Sequence, residues 1–99
     1  MEDIFKQMVA NYYGNDLNAV FYLSLDDTIK KTVVVSNGKL EIGDGKPEKA
    51  DCVVKMSSEL LKKIWYENYM PGIKEIFNGS LKVSNPDLLS KLFKNMKKG

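Results

Sequence analysis

The side chains that could carry chemistry in this chain are few and are not grouped as a catalytic centre. Asp26 and Asp27 are adjacent carboxylates, the kind of pair that can share acid–base work, and Cys52 is the single thiol. An Asp-Asp-Thr run is typical of a turn, and neighbours at a strand end point apart, so we interpret the two acids as turn residues. Cys52 lies among alternating apolar residues and is predicted to be a buried strand residue rather than a nucleophile.

Two residue types that commonly do chemistry or bind anions are missing from the sequence. There is no histidine, the commonest general acid–base group and metal ligand, and all fifteen basic residues are lysines, so no guanidinium is present. The sequence contains no glycine-rich phosphate loop, metal-ligand spacing or nucleophile–base pair. We therefore expect no catalytic residue, no metal and no cofactor. The net charge of +2 gives no indication of nucleic-acid binding.

Length and composition predict a single domain over residues 1–99. An apolar content of 43% can supply a core, and 28% charged residues can supply a hydrated surface. The longest apolar runs are only a few residues, such as Val33–Val35, so no membrane span is expected. A lone cysteine and an N-terminus without a basic start or an apolar stretch lead us to expect a cytoplasmic protein.

The N-terminal half of the chain is predicted to form a helix and then strands. Asp3 is the expected cap of the helix and Gly14 its expected end, and the apolar residues at helical spacing are Ile4, Phe5, Met8, Val9 and Tyr12. A change to a two-residue period at Val20–Leu25 predicts a strand, with Phe21 among the residues of one face.

Asn37-Gly38 is the strongest local signal in the sequence. It separates two alternating runs and favours a type I′ turn, because both central residues need positive φ. The turn predicts that Val35 faces Leu40 and Val33 faces Ile42, which makes one face of the hairpin apolar.

The C-terminal half is predicted to alternate strands and helices after a loop over residues 43–47. A strand is expected from Asp51 to Met56, and Ser57 or Ser58 can cap a helix whose buried stripe is Leu60, Leu61, Ile64, Trp65 and Tyr69. Pro71 suits the start of a short helix with Ile73, Ile76 and Phe77, ending at Asn78-Gly79. A short strand with Leu81 and Val83 precedes a closing helix that Asn85-Pro86 begins, with its apolar face at Leu88, Leu89, Leu92, Phe93 and Met96.

Strands grouped before helices favour an α+β fold over a doubly wound one. We predict a single mixed sheet of about five strands with helices packed on one face.

This order, together with three segments, resembles the sterol-carrier-protein type (sterol-carrier-protein-two-like) of lipid-transfer domain. Residues 50–56 resemble the family's fourth strand, residues 69–83 its signature region, and residues 31–41 its strand–Asn-Gly–strand hairpin. The chain departs from the family after the last strand, where Ser84–Asp87 replaces the usual glycine and acidic residue.

The resemblance implies non-catalytic binding or transfer of an apolar ligand, such as a fatty acid, an acyl ester or another lipid, in a cavity between the sheet and the helices. It also implies that the closing helix lies near the entrance, as a lid, whereas its periodicity alone predicts an ordinary docked helix. The candidate cavity residues are Phe21, Leu23, Val33, Val35, Leu40, Val54, Met56, Leu61, Ile64, Trp65, Ile73, Phe77, Leu89, Leu92, Phe93 and Met96.

Two alternatives remain open on the sequence. The domain could be an interaction or dimerisation module with a filled core, or an accessory subunit that presents apolar substrate to a partner enzyme. Lys91, Lys94, Lys97 and Lys98 could give at most a transient contact with a membrane surface, although a solvated helix end is the simpler interpretation.

Overall fold

A computed structural model describes residues 2–14, 17–67 and 81–96. Within these ranges the elements are α1 (Glu2–Asn11), β1 (Ala19–Leu25), β2 (Ile29–Ser36), β3 (Lys39–Asp44), β4 (Cys52–Met56), α2 (Ser58–Tyr66), β5 (Leu81–Val83) and α3 (Pro86–Lys94). The predicted short helix after Pro71, with Ile73, Ile76 and Phe77, lies outside the described residues, as does Tyr69.

The five strands form one mixed sheet in the order β3-β2-β1-β4-β5. Neighbouring strands are antiparallel except for β1 and β4, which run parallel. A parallel pair needs a long crossover, and the chain between β1 and β4 supplies it as the β2–β3 hairpin and the connection that follows. The predicted α+β class and mixed sheet are confirmed.

Two hairpin turns fix the register of the first three strands. At the β2–β3 turn Asn37 and Gly38 have φ values of 54° and 79°. The predicted facing pairs Val35–Leu40 and Val33–Ile42 are present. The β1–β2 turn has the same form, because Asp26 and Asp27 have φ values of 55° and 56°. Asp26 and Asp27 are therefore turn residues, as predicted, in a conformation that Asx residues tolerate better than most.

The connection between β3 and β4 crosses the face of the sheet opposite the helices. The amide of Asp51 donates to the Val20 carbonyl at 2.7 Å, and the Thr32 hydroxyl donates to the Gly45 carbonyl at 2.8 Å. The Lys46 ammonium lies 5.9 Å from the centre of the Tyr22 ring. Consequently β1 is buried on both faces, and Tyr22 is only 7% exposed. The predicted strand with Phe21 on its core-facing side is present, and its other face is also largely buried because the β3–β4 connection covers it.

Both helices that follow serine or asparagine caps begin as predicted. The Ser57 hydroxyl accepts from the amide of Leu60, and the Asn85 side chain accepts from the amide of Leu88. Pro86 occupies the first turn of α3. Each cap satisfies an amide that would otherwise lack a partner at the helix start.

Several predicted boundaries differ from the structure. Helix α1 already includes Glu2, so Asp3 lies in its first turn and does not cap it, and Val9 is 46% exposed. Strand β3 continues through Asp44, whereas the loop was predicted from Gly43, because Gly43 and Asp44 still pair with β2.

The closing helix is shorter than predicted. It ends at Lys94 with Asn95 as its C-cap, so Met96 is not on the helix. Met96 instead forms an isolated antiparallel bridge with Tyr12, which lies one residue beyond α1. Met96 stays buried because this bridge, and not helical periodicity, turns it toward the core.

Among the described helices none is sufficiently long and apolar to cross a membrane.

Candidate functional site

An apolar layer fills the space between the sheet and the three described helices. Every element of the described chain contributes to it, and its members are all less than a tenth exposed. The helices supply Ile4, Phe5, Met8, Leu60, Leu61, Ile64, Trp65, Leu89, Leu92 and Phe93, the strands supply Ala19, Phe21, Leu23, Leu25, Val33, Val35, Leu40, Cys52, Val54, Met56 and Leu81, and the connections supply Tyr12, Leu17 and Met96.

The structure brings the described candidate residues into this one layer. All fourteen belong to it: Phe21, Leu23, Val33, Val35, Leu40, Val54, Met56, Leu61, Ile64, Trp65, Leu89, Leu92, Phe93 and Met96. The other two candidates, Ile73 and Phe77, lie outside the described residues. That these side chains contact a ligand remains a prediction.

Helix α1 supplies layer residues that the candidate set omitted. Ile4 is 1% exposed and Met8 is 2% exposed, and both face the same layer as Trp65 of α2. Their helical spacing was visible in the sequence. The predicted packing of the helices on one face of the sheet already placed α1 beside this layer, but its residues were not included in the candidate set.

The layer contains very few polar atoms. The Trp65 indole nitrogen donates to the Gln7 side-chain oxygen at 2.6 Å, which satisfies the one polar atom of a fully buried ring. Tyr66, its neighbour, is 51% exposed.

Cys52 lies at the end of the layer nearest the start of α3. Its thiol lies 3.5 Å from the Asn85 carbonyl and is fully buried, as predicted. Burial raises the pKa of the Cys52 thiol, because the thiolate would lose its hydration. A neutral, enclosed thiol is a poor nucleophile, which agrees with its interpretation as a core residue.

Helix α3 is held at both ends by hydrogen bonds. At its start the Ser84 amide donates to the Val53 carbonyl at 3.0 Å, and the Val53 amide donates to the Ser84 hydroxyl at 2.8 Å. At its end the Tyr13 amide donates to the Asn95 carbonyl at 2.9 Å, and the Tyr13 hydroxyl donates to the Lys94 carbonyl at 2.7 Å. The predicted lid is therefore tied to β4 on one side and to the segment after α1 on the other.

A basic and apolar cleft of about 310 Å³ opens beside α1 at the β3 edge of the sheet. Lys31 lies on the helix-facing side of β2, with its ammonium 5.5 Å from the centre of the Phe5 ring. Lys31 also forms an ion pair with Asp44. The hydrogen bond in this ion pair raises the pKa of Lys31 and lowers the pKa of Asp44, because it favours the charged form of each group, and the attraction between the charges adds to the effect.

The described residues contain no cluster of three or more histidine, cysteine or acidic side chains that could hold a metal ion. The layer can bury apolar groups, and its buried methionines can adapt to their shape.

The chain belongs to the SCP-2 sterol transfer family, whose family model matches residues 10–94. The resemblance inferred from the hairpin, the fourth strand and the signature region is thereby confirmed. No match was found among curated proteins.

Solved structures with the same fold come from proteins of different kinds. A domain of the stereoselective inverting sec-alkylsulfatase Pisa1 from Pseudomonas sp. superposes with a TM-score of 0.80 at 18% identity, over 96% of this chain and 16% of the sulfatase. The ubiquinone synthesis protein UbiJ-SCP2 superposes with a TM-score of 0.67 at 15% identity, over 94% of this chain and 82% of that protein. Palmitated SCP2L2 from Aedes aegypti superposes with a TM-score of 0.64 at 21% identity, over 94% of this chain and 86% of that protein. This chain thus spans about a sixth of the sulfatase but most of the other two.

Proposed function

We propose that this protein binds a lipid-like molecule, a fatty acid, an acyl ester or a comparable apolar chain, non-covalently between the sheet and the helices. The observation that carries the proposal is the apolar layer, to which the sheet and every described helix contribute in a chain of the SCP-2 family. Transfer of an apolar guest from water into such a layer stabilises the complex by roughly 0.8 kcal/mol per methylene.

The composition of the layer supports a ligand of variable shape. Met8, Met56 and Met96 are buried at three separate places in it, and unbranched thioether side chains can change rotamer to make room. Among its described members the layer has no carboxylate or ammonium group, so it would hold the ligand without acid–base chemistry from such groups. Catalysis is not part of the proposal.

Leu92 and Lys91 provide a matched pair of test positions on α3. Leu92 is 3% exposed and faces the layer, whereas its neighbour Lys91 is exposed. Native mass spectrometry of the purified protein, followed by extraction of copurified lipid, is expected to detect a bound apolar molecule. Leu92→Trp should lower its occupancy because the larger ring occupies ligand space, and Lys91→Trp should leave it unchanged.

Urea unfolding of the same variants separates ligand binding from packing. If the layer binds a ligand, Leu92→Trp weakens binding by a larger factor than it weakens folding. A layer that is simply a filled core would give a protein without copurified lipid, in which Leu92→Trp lowers stability alone. That result would contradict the proposal.

A second candidate function is an accessory role, in which the domain presents apolar substrate to an enzyme. The similarity to a domain that makes up 16% of an alkylsulfatase favours it, because there the fold is part of an enzyme chain. A stable complex with a lipid-metabolising enzyme, formed from purified components and detected by size-exclusion chromatography, would support this role. A protein that stays monomeric with bound lipid would support the first.

A further inference from the structure

A line of basic residues crosses the face of the sheet that points away from the helices. In the strand register Ser24 of β1 lies between Lys30 of β2 and Lys55 of β4, and Lys55 faces Lys82 of β5. Side chains directly opposite on neighbouring strands are only about 5 Å apart at Cβ. The sheet therefore places Lys55 and Lys82 side by side, with the Ser24 hydroxyl next to them.

Lys55 and Lys82 have no acidic partner in the part of the chain that the structure describes. Within the described residues the one ion pair joins Lys31 and Asp44, and no carboxylate lies within 4 Å of either Lys55 or Lys82. Like charges directly opposite each other on neighbouring strands repel, so this arrangement opposes folding unless an anion neutralises it.

Ser24 is an unpartnered polar residue in the same place. It is 3% exposed and is the one buried polar residue in the described part of the chain. Within that part its hydroxyl forms no hydrogen bond, although both of its strand neighbours on this face are exposed lysines. The hydroxyl lines a cleft on this face, where a bound oxygen atom would supply an acceptor for it.

These side chains line a cleft of about 330 Å³ together with Asp26, Asp27, Met56 and Ser57. The Asp26 carboxylate is already engaged, since it accepts from the Ser58 amide at 3.0 Å at the start of α2. Asp27 is exposed at the tip of the turn. Lys55 and Lys82 form a basic wall of the cleft, and the two acidic side chains line the part next to the β1–β2 turn. Its volume exceeds the roughly 30 Å³ of one water molecule about tenfold.

We infer that this cleft binds a phosphate-type oxyanion, with the Lys55 and Lys82 ammonium groups supplying the charge and the Ser24 hydroxyl donating a hydrogen bond. A phosphate monoester fits these three donors because it carries up to two negative charges and three acceptor oxygens. The three proposed donors are on the opposite face of the sheet from the apolar layer, so the inference goes beyond the proposed lipid binding and does not depend on it.

The test is a titration of the whole chain with inorganic phosphate and with glycerol phosphate, followed by amide chemical shifts in NMR spectra. Saturable shifts are expected at Ser24, Lys55 and Lys82. Lys55→Gln or Lys82→Gln should weaken binding by about tenfold each, and Ser24→Ala by several-fold, because each removes one donor to a charged group. Lys30→Gln is the matched control, since it removes an equal charge on the same face but does not line the cleft.

Vesicles distinguish a soluble phosphate from a lipid headgroup. If phosphatidic acid vesicles bind and neutral phosphatidylcholine vesicles do not, and Lys55→Gln abolishes the difference, the phosphate is that of a headgroup. Binding of glycerol phosphate without vesicle binding assigns the site to soluble monoesters. The inference is overturned if phosphate gives no saturable shifts at these residues at millimolar concentrations, or if Lys30→Gln weakens binding as much as Lys55→Gln does.

Discussion

Gly38 is the residue on which the β2–β3 hairpin most directly depends. Its φ of 79° lies in a region that a β-branched side chain does not tolerate. Gly38→Val should therefore lower the free energy of unfolding by about 1–3 kcal/mol. Gly43 is the matched control, since it lies in β3 and a Cβ atom added there would have open space for 4 Å around it.

The comparison is made by urea unfolding of Gly38→Val and Gly43→Val. Because valine suits an extended strand, the Gly43 substitution should be neutral or slightly stabilising. Equal destabilisation by the two variants would show that the hairpin does not depend on the turn conformation.

Cys52 gives a residue-scale test of the core. Its thiol is fully buried and its pKa is raised by burial, so the native protein should react slowly with a thiol reagent at neutral pH. Labelling, followed by mass spectrometry, should accelerate only in denaturant, when the strand opens. Rapid labelling without unfolding would indicate that β4 is open to solvent.

At the residue scale, turn residues could be predicted from the sequence better than the polar groups that lie together on the surface. Asn37-Gly38 and Asp26-Asp27 were recognised as turns because few residues tolerate positive φ, and that preference is local. The isolation of Ser24 between two lysines was not predictable in this way. It depends on the parallel pairing of β1 with β4, which joins residues far apart in the chain.

At the scale of elements, the start of α2 is linked to the β1–β2 turn through Asp26. Hydrogen bonds from the Ser58 side chain and amide lower the pKa of the Asp26 carboxyl, and Lys62 adds a smaller effect. A carboxyl whose pKa is lower in the folded state stabilises the fold at pH values above its unfolded pKa of about 3.9. This contribution disappears as the pH falls through the pKa of the folded state.

Asp26→Asn tests this link, since asparagine also tolerates the positive φ at this position. The variant should melt at a lower temperature than the parent protein at neutral pH, and the difference should shrink below about pH 4. Thermal unfolding monitored by circular dichroism across this range is the measurement. A difference that stays constant with pH would contradict the role of the carboxylate charge.

The end of α3 is tied to the segment after α1, and Tyr13 makes two of the contacts. Tyr13→Phe removes the hydroxyl that donates to the Lys94 carbonyl but keeps the ring. Amide hydrogen exchange at the end of α3 should accelerate by up to about fivefold, since one neutral hydrogen bond is lost. Tyr66→Phe is the control, because Tyr66 is exposed at the end of α2. Equal exchange in both variants would show that this tie does not hold α3.

Whether a segment forms a helix or a strand was predictable from the spacing of its apolar residues and from the helix caps. The residue at which some of these elements end was not. The starts of α2 and α3 were predictable from Ser57 and Asn85, because each cap bonds to an amide only three residues further along the chain. Met96 continued the helical spacing of α3 but is placed by a bridge to Tyr12. A long-range backbone contact of this kind overrides local periodicity and leaves no signal in the sequence around it.

At the scale of the whole molecule, the α+β class and the single mixed sheet followed from the grouping of strands and helices. Fourteen of the sixteen candidate residues lie in one apolar layer, since burial follows from the apolar period of each element. Which of them would contact a ligand could not be predicted, because a ligand cavity and a filled core use the same apolar side chains in the same pattern.

The central claim is that the layer between the sheet and the helices accepts an apolar guest, and displacement of a fluorescent fatty acid by unlabelled fatty acids of increasing length tests it most directly. The binding free energy should grow by up to roughly 0.8 kcal/mol per methylene and then level off when the available space is full. Binding no tighter than millimolar at every length (about −4 kcal/mol), with the protein still folded, would contradict the account.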